Sequence, residues 1–224
     1  MHKVSLPFTV LSSIYCVLLL LDSLLEIKVI SLFNLELTLG TAIIACVYIC
    51  SDCLVEVYGF AKARLIMWLG FALLGFSTLM LKLSCLVPAI PNWDGNEHFN
   101  YLFNMSPRIA LACLAAYITG SYVNNYVMSK LKVLLNGKYF KSRALISTIC
   151  GESVDAVVGT FGIFFGLLPL SQVTLITLSM ASVKILIEFL ALPVTAKVVA
   201  YLKAKEGTEY LDTNEAYRLF SLER

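Results

Sequence analysis

The chain has 224 residues, of which 59% are hydrophobic and only 14% are charged, and its mean hydropathy is +0.83. Because so apolar a chain has too little polar surface to cover a water-soluble globule, the composition predicts an integral membrane protein. A net charge of +2 does not suggest a nucleic-acid partner, and the basic clusters lack the interleaved aromatic residues of a base-stacking surface.

Six apolar segments are long enough to cross a bilayer, since a span takes roughly 20 residues. The last two come from one apolar run that is too long for a single helix, and Gly166 and Pro169 favour a turn within it. We predict an all-α integral membrane protein, with residues 1–224 forming one domain and one compact bundle of six transmembrane helices. The predicted spans are near 5–25, 38–58, 64–87, 107–128, 145–168 and 172–201.

Lysine and arginine concentrate in alternate connections between these segments. They are frequent at 59–64, at 129–144 and in the tail, whereas 88–106 and 168–172 contain none. Since basic residues favour the cytoplasmic side of a membrane, both termini are predicted to be cytoplasmic. The stretch 88–106 is rich in aromatic residues, so we expect it to be an interfacial loop on the outer side.

Three pairs of ionisable residues lie inside the apolar segments, and the members of each pair share one helix face. A charge in hydrocarbon costs about 2.5 kcal/mol or more, so such residues face a bundle interior, a partner or a polar cargo. The rise per residue places the pairs at similar depths, and we expect them to converge on one polar layer. The pairs are Asp52 with Glu56, Glu152 with Asp155, and Lys184 with Glu188.

Acids outnumber bases in this predicted layer, and three interpretations are open. Lys184 could neutralise one carboxylate while the other acids face cytoplasmic water. A surplus of acceptors would also suit a donor-rich or cationic ligand, and an acid protonated by burial would be a candidate proton relay. The seven cysteines are scattered, and Cys50-x-x-Cys53 lacks a second ligand pair, so we expect no metal centre and no cofactor.

The fourth predicted span adds three further candidates. Arg108 lies near its outer end, where it could belong either to a gate or to the pocket. Tyr117 and Asn124 are seven residues apart and therefore share a face. Their side chains could bind cargo, or they could form hydrogen bonds between helices.

Four segments together resemble the queuosine precursor transporter family, which is of the vitamin-uptake type. The resemblance extends from about residue 26 through the tail. It implies a multi-pass importer of the inner (plasma) membrane with six helices, which takes up 7-cyano- or 7-aminomethyl-7-deazaguanine, or the base queuine, for salvage into tRNA modification. The segments are SDCLVEVYGFAKAR (51–64), RIALACLAAYITGSYVNNYVMSKLK (108–132), STICGESVDAVVGTFGIFFG (147–166) and VKILIEFLALPVTAKVVAYLKAKEG (183–207).

The resemblance assigns the acidic and basic positions of the family to this chain, but the family commonly has Gln and Asp where this chain has Ser121 and Asn124. A deazaguanine presents two neighbouring N–H donors, which a carboxylate can accept together. The candidate substrate-binding residues are Asp52, Glu56, Arg108, Tyr117, Asn124, Glu152, Asp155, Lys184 and Glu188.

Two other classes of protein are alternatives to an importer. The chain could be the substrate-binding subunit of an energy-coupling-factor type transporter. It contains no phosphate-binding loop, so ATP use would require an energising partner, and a homo-oligomer is equally open. An intramembrane enzyme is not favoured, because neither a G-x-S-x-G nor an H-E-x-x-H motif is present.

Overall fold

The structure is a computed structural model that describes residues 5–25, 28–32, 35–91, 93–104, 107–207 and 217. Between the first two helices, strands β1 (Val29–Leu32) and β2 (Leu35–Thr38) form an antiparallel hairpin in which Val29 pairs with Thr38. The remaining elements of the described chain are helices. They are α1 (Leu6–Leu25), α2 (Gly40–Tyr58), α3 (Phe60–Ser84), α4 (Gly95–Phe103), α5 (Pro107–Leu134), α6 (Phe140–Phe164) and α7 (Leu170–Glu206).

Each of the six predicted spans coincides with a helix, although several ends differ. The turn predicted in the last long apolar run is confirmed, because α6 ends at Phe164 and Gly166 has a φ of +80°. The connection predicted at 129–144 was too long, since α5 continues to Leu134 and α6 begins at Phe140. Lys132 and Arg143 therefore lie on helices, where both side chains are buried against an acid.

The outer stretch 88–106 contains one element that the sequence did not predict, the short helix α4. None of its described side chains is buried, and the rings of Phe99 and Phe103 meet edge to face with centroids 4.9 Å apart. Such an exposed aromatic helix is consistent with the interfacial location that we expected for this stretch.

Four helices of the described chain, α1, α3, α6 and α7, are long and apolar enough to cross a membrane. The bent pair of α4 and α5 counts as a fifth candidate if it forms one span. Helices α3 and α7 leave large apolar side chains such as Phe76 and Leu190 exposed, as expected where lipid covers them. These features are those of a multi-pass membrane protein.

Helices α5 and α6 pack with their backbones in close approach at two glycines. A Cβ atom on Gly120 would lie only 2.7 Å from the Cβ of Asp155 and 3.1 Å from the carbonyl oxygen of Gly151. A Cβ on Gly151 would lie 2.7 Å from the Cβ of Asn124. Small residues permit this approach between helices, and here it places Asp155 and Asn124 on adjoining surfaces in the interior.

Candidate functional site

Apart from Arg64 of α3, the buried charged side chains of the described chain form two groups, whose members on α2, Asp52 and Glu56, lie about one helical turn apart. We call the first the Glu56 cluster; it comprises Glu56, Lys132, Arg143 and Lys203. We call the second the acid layer; it comprises Asp52, Glu152, Asp155, Lys184 and Glu188. The three predicted pairs thus do not meet in one layer, because Glu56 has partners of its own.

In the Glu56 cluster, three cations surround one carboxylate. Arg143 donates hydrogen bonds from Nη1 to Oε2 at 2.7 Å and from Nη2 to Oε1 at 3.1 Å. Lys203 Nζ lies 2.6 Å from Oε1, and Lys132 Nζ lies 3.9 Å from Oε2 while donating to the Glu56 carbonyl oxygen at 2.5 Å. Since both oxygens already accept bonds from cations, Glu56 joins α2 to α5, α6 and α7 and is poorly placed to accept a ligand.

Arg143 also holds the connection between α5 and α6. Its Nε donates to the carbonyl oxygen of Lys138 at 2.8 Å, and its Nη2 donates to that of Gly137 at 3.0 Å. Gly137 and the nearby Tyr139 have positive φ angles of 74° and 56°. This buried side chain therefore closes the tight connection as well as neutralising Glu56.

In the acid layer, Lys184 of α7 bridges the two acids of α6. Its Nζ lies 2.7 Å from Asp155 Oδ2 and 3.4 Å from Glu152 Oε2. The side chain of Glu152 is fully buried, while that of Asp155 is 14% exposed. Lys184 thus forms ion pairs with two carboxylates of α6 rather than with Glu188, which follows it by four residues on α7.

The other two acids of the layer face each other across α2 and α7. Asp52 and Glu188 lie within hydrogen-bonding reach of one another. Asn124 donates to Asp52 Oδ1 at 2.9 Å, and the hydroxyl of Thr148 donates to Glu188 Oε1. Both carboxyl groups are buried, at 0% and 1% exposure, so they do not face cytoplasmic water.

Several buried polar atoms around these acids accept or donate no hydrogen bond within the part of the chain that the structure describes. Native proteins satisfy nearly all such atoms, so a concentration of them leaves polar groups that a water, an ion or a ligand can satisfy. The atoms are Tyr48 Oη, Asp52 Oδ2, Asn124 Oδ1, Glu152 Oε1 and Glu188 Oε2, and Glu152 Oε2 accepts no hydrogen bond although it forms the ion pair with Lys184.

A cavity of about 340 Å³ adjoins the acid layer. Asp155 and Lys184 contribute its charged wall, together with Asp22 of α1. Among its other lining residues, the polar ones are few, with Thr78 and Thr160 among them, and most are apolar. An apolar cavity with a few convergent polar groups is the usual form of a small-molecule site.

Asp22 was not among the predicted site residues. Glu26 follows it by four residues but stands just beyond the predicted first span, 5–25, so the sequence places no pair inside that apolar segment. Within α1, Asp22 is distinguished only as the single acid of an otherwise uncharged helix. Of the predicted residues, Asp155, Lys184 and Tyr117 line the cavity, and the others do not.

Two predicted candidates form contacts between helices. Arg108 donates from Nε to the carbonyl oxygen of Gly162 at 2.8 Å and from Nη2 to that of Phe165 at 2.5 Å, so it caps the end of α6. Tyr117 donates to the Met67 carbonyl oxygen at 2.9 Å and lies 2.8 Å from the hydroxyl of Tyr15. Arg108 is therefore away from the acid layer, and the hydroxyl of Tyr117 links α5 to α1 and α3.

The charged wall of the cavity carries both an acceptor and a donor of hydrogen bonds. No group of three His, Cys, Asp or Glu side chains is placed to hold a metal ion within the described ranges. The cavity presents a carboxylate and an ammonium group side by side, and most of its other walls are apolar. Together with the lipid-facing helices, this defines a membrane protein of the transporter class.

The comparisons with known proteins identify the family. Residues 38–198 match the family described as "Putative vitamin uptake transporter", and the chain belongs to that family. It is also similar to a protein of Bacillus subtilis (strain 168) named "Probable queuosine precursor transporter", with 28% identity over 173 residues, 75% of this chain and 73% of the relative. No solved structure matches the chain. The family resemblance found in the sequence is thereby confirmed.

Proposed function

We propose that this protein imports a 7-deazaguanine base, either a queuosine precursor or queuine, across the inner membrane. The name of the Bacillus subtilis relative and the family match support this proposal. The observation that carries it is the pairing of Asp155 with Lys184, at 2.7 Å, on the wall of the cavity.

This pair matches the hydrogen-bonding edge of a guanine-type base. That edge presents a carbonyl oxygen followed by two N–H donors. A carboxylate accepts two parallel N–H bonds well, and an ammonium group donates to a carbonyl oxygen. Asp155 would accept from the two donors while the adjacent Lys184 donates to the carbonyl. The apolar lining of the cavity would contact the two faces of the ring.

Asp22 supplies a second carboxylate to the same cavity. The 7-aminomethyl precursor and queuine each carry an amine that is cationic at neutral pH, whereas the 7-cyano precursor is neutral at that position. We assign Asp22 to this amine, because a charge-assisted hydrogen bond is stronger than a neutral one.

We further propose that residues 1–224 form a single transport domain of six spans, with α4 lying at the outer interface and both termini in the cytoplasm. The distribution of basic residues supports this topology. In it, the cavity lies toward the outer side and the Glu56 cluster lies toward the cytoplasm. The structure then corresponds to a state that receives substrate from outside.

Binding and exchange by the purified chain test the proposal. The protein would be titrated with queuine, both precursors and guanine, and then reconstituted in liposomes to exchange labelled for unlabelled base. We expect binding and exchange of at least one deazaguanine, which is recovered chemically unchanged. Asp155→Asn should bind weakly, and Glu206→Gln, at the far end of α7, should behave like the wild type. Failure of every deazaguanine to bind would overturn the proposal, and activity only with a copurifying ATPase would establish the binding-subunit alternative.

A further inference from the structure

Asp52 and Glu188 form a separate site behind the substrate cavity. Neither residue lines the cavity, yet their carboxyl groups lie within hydrogen-bonding reach of one another between α2 and α7. Two ionised carboxylates have no donor between them, so a contact of this kind requires a proton. In other proteins that hold two carboxyl groups so close, one of them remains protonated.

The cations nearby form ion pairs with other acids, so they do not take the place of this proton. Arg143, Lys132 and Lys203 pair with Glu56, and Lys184 pairs with Asp155 and Glu152. Glu152 and Glu56 add negative charge nearby. The titratable or charged groups that face the pair from α2 and α6 are Tyr48, Cys53, Glu56, Arg143 and Glu152.

A second observation is that buried polar atoms without hydrogen-bond partners are found at the pair and on its neighbours. The hydroxyl of Tyr48, at 2% exposure, and the side-chain oxygen of Asn124, at 0%, have no hydrogen-bond partner among the residues the structure describes. The same holds for one oxygen of each acid in the pair. Asn124 contacts Asp52 directly, and both Asn124 and Tyr48 lie against Gly151, so the pair has buried polar neighbours that can stabilise a proton.

We propose that Asp52 and Glu188 share one proton and that this proton drives uptake through the cavity. The inference rests on the proposed function, and it reassigns these two residues from substrate binding to coupling. In each cycle one proton reaches a carboxylate oxygen of the pair from the cavity side. It leaves toward the cytoplasm after the base has been delivered.

The spacing of polar groups supports this route. Lys184, on the cavity wall, precedes Glu188 by four residues of α7, and Asp52 precedes Glu56 by four residues of α2. Four residues rise about 6 Å along a helix, so the pair lies one turn from the cavity wall and one turn from the Glu56 cluster. The proton site therefore lies between the substrate and the end of the bundle that is closed by cations.

Infrared spectroscopy of the purified protein without substrate tests the proton directly. A protonated carboxyl group has a carbonyl stretching band that a carboxylate lacks. We expect such a band at neutral pH in the wild type, and we expect Asp52→Asn and Glu188→Gln each to lose it, because the remaining acid can then ionise against an amide donor. Glu206→Gln is the matched control and should keep it. Identical spectra for the wild type and both pair variants would overturn the proposal.

Transport in liposomes tests the coupling. With labelled queuine and the labelled 7-aminomethyl precursor, the wild type should accumulate base under an inward proton gradient and not under an inward sodium gradient. Asp52→Asn and Glu188→Gln should retain exchange of labelled for unlabelled base but lose accumulation to the level of empty liposomes. Accumulation driven by sodium, or variants that accumulate like the wild type, would overturn the proposal.

The two experiments separate this inference from the proposed function. If the wild type exchanges no deazaguanine, the proposed function fails, and the infrared spectra still decide whether the pair holds a proton. If a pair variant loses exchange yet melts and elutes like the wild type, the pair belongs to the substrate site, which overturns the coupling role alone.

Discussion

The guanidinium group of Arg143 on α6 holds both carboxylate oxygens of Glu56 on α2, at 2.7 and 3.1 Å, and both side chains are fully buried. Breaking a buried ion pair by removing one partner leaves the other charge uncompensated, which costs about 3–5 kcal/mol. In this protein Lys132 and Lys203 would also be left facing the altered side chain.

Glu56→Gln should therefore destabilise the folded protein. We expect the free energy of unfolding to fall by about 3–5 kcal/mol, measured by thermal or denaturant unfolding in detergent. Glu206→Gln is the control, since that carboxylate lies at the end of α7 and accepts bonds from Ser5 and Tyr58. If the variant keeps its stability but loses substrate binding, Glu56 is a substrate-binding residue and not a structural one.

Asp155→Asn should weaken substrate binding with a smaller loss of stability than Glu56→Gln, because Asp155 is 14% exposed and Lys184 keeps Glu152 as a partner. Hydrogen bonds to a charged group contribute about 1.5–3 kcal/mol, so affinity should fall by roughly ten- to a hundredfold. Titration of the purified variant with the preferred base measures this effect. Lys197→Gln is the comparison, because Lys197 is exposed near the other end of α7. Equal affinities in the wild type and Asp155→Asn would show that the base does not bind at this pair.

Asp22→Asn should change which base is preferred. Loss of the carboxylate removes an attraction for a cationic substituent and leaves a neutral one nearly unaffected. We expect binding of the 7-aminomethyl precursor to weaken by roughly tenfold, equivalent to about 1.4 kcal/mol, while binding of the 7-cyano precursor stays within about twofold. Parallel titrations of the two precursors provide the measurement. An equal loss of affinity for both precursors would show that Asp22 has a structural role instead.

Gly120→Ala should disturb the contact between α5 and α6. The new methyl group would lie 2.7 Å from both the Cβ of Asp155 and the hydroxyl of Tyr48, which must shift. Overpacking of this kind costs about 1–3 kcal/mol and should also reduce substrate binding by displacing Asp155. Gly75→Ala on α3 is the matched control, because its methyl group would meet nothing within 4 Å. The melting temperatures of the two variants are to be compared.

The order and approximate extent of six of the seven helices in the described part of the chain could be predicted from apolar runs and their length. The short helix α4 could not, because it is held at an exposed position by aromatic contacts that composition alone does not specify. The cytoplasmic ends predicted for α5, α6 and α7 were also misplaced, and each of these ends carries a basic residue that contacts the buried Glu56. Lys132 and Arg143 marked a predicted connection, yet their partner lies about 80 residues earlier in the sequence.

Spacing along one helix indicated which charges share a face, but not which charges meet. Lys184 and Glu188 share a face, yet the first contacts Asp155 and the second contacts Thr148. The sequence offers several carboxylates to each cation, and only the packing of α6 against α7 decides among them. Asp22 was missed for the related reason that its neighbours at the cavity come from other helices.

The contacts of Arg108 have a further consequence when they are taken with the two close glycines. At one end α5 is tied to α6 by Arg108, and in the middle Gly120 lies against Gly151. At the other end each helix contributes one side chain, Lys132 from α5 and Arg143 from α6, that forms an ion pair with Glu56. Fastened at three levels, α5 and α6 should move as one rigid body. Alternating access would then arise from rocking of the remaining helices against this pair, and the close glycines would form a fixed pivot beside the bound base.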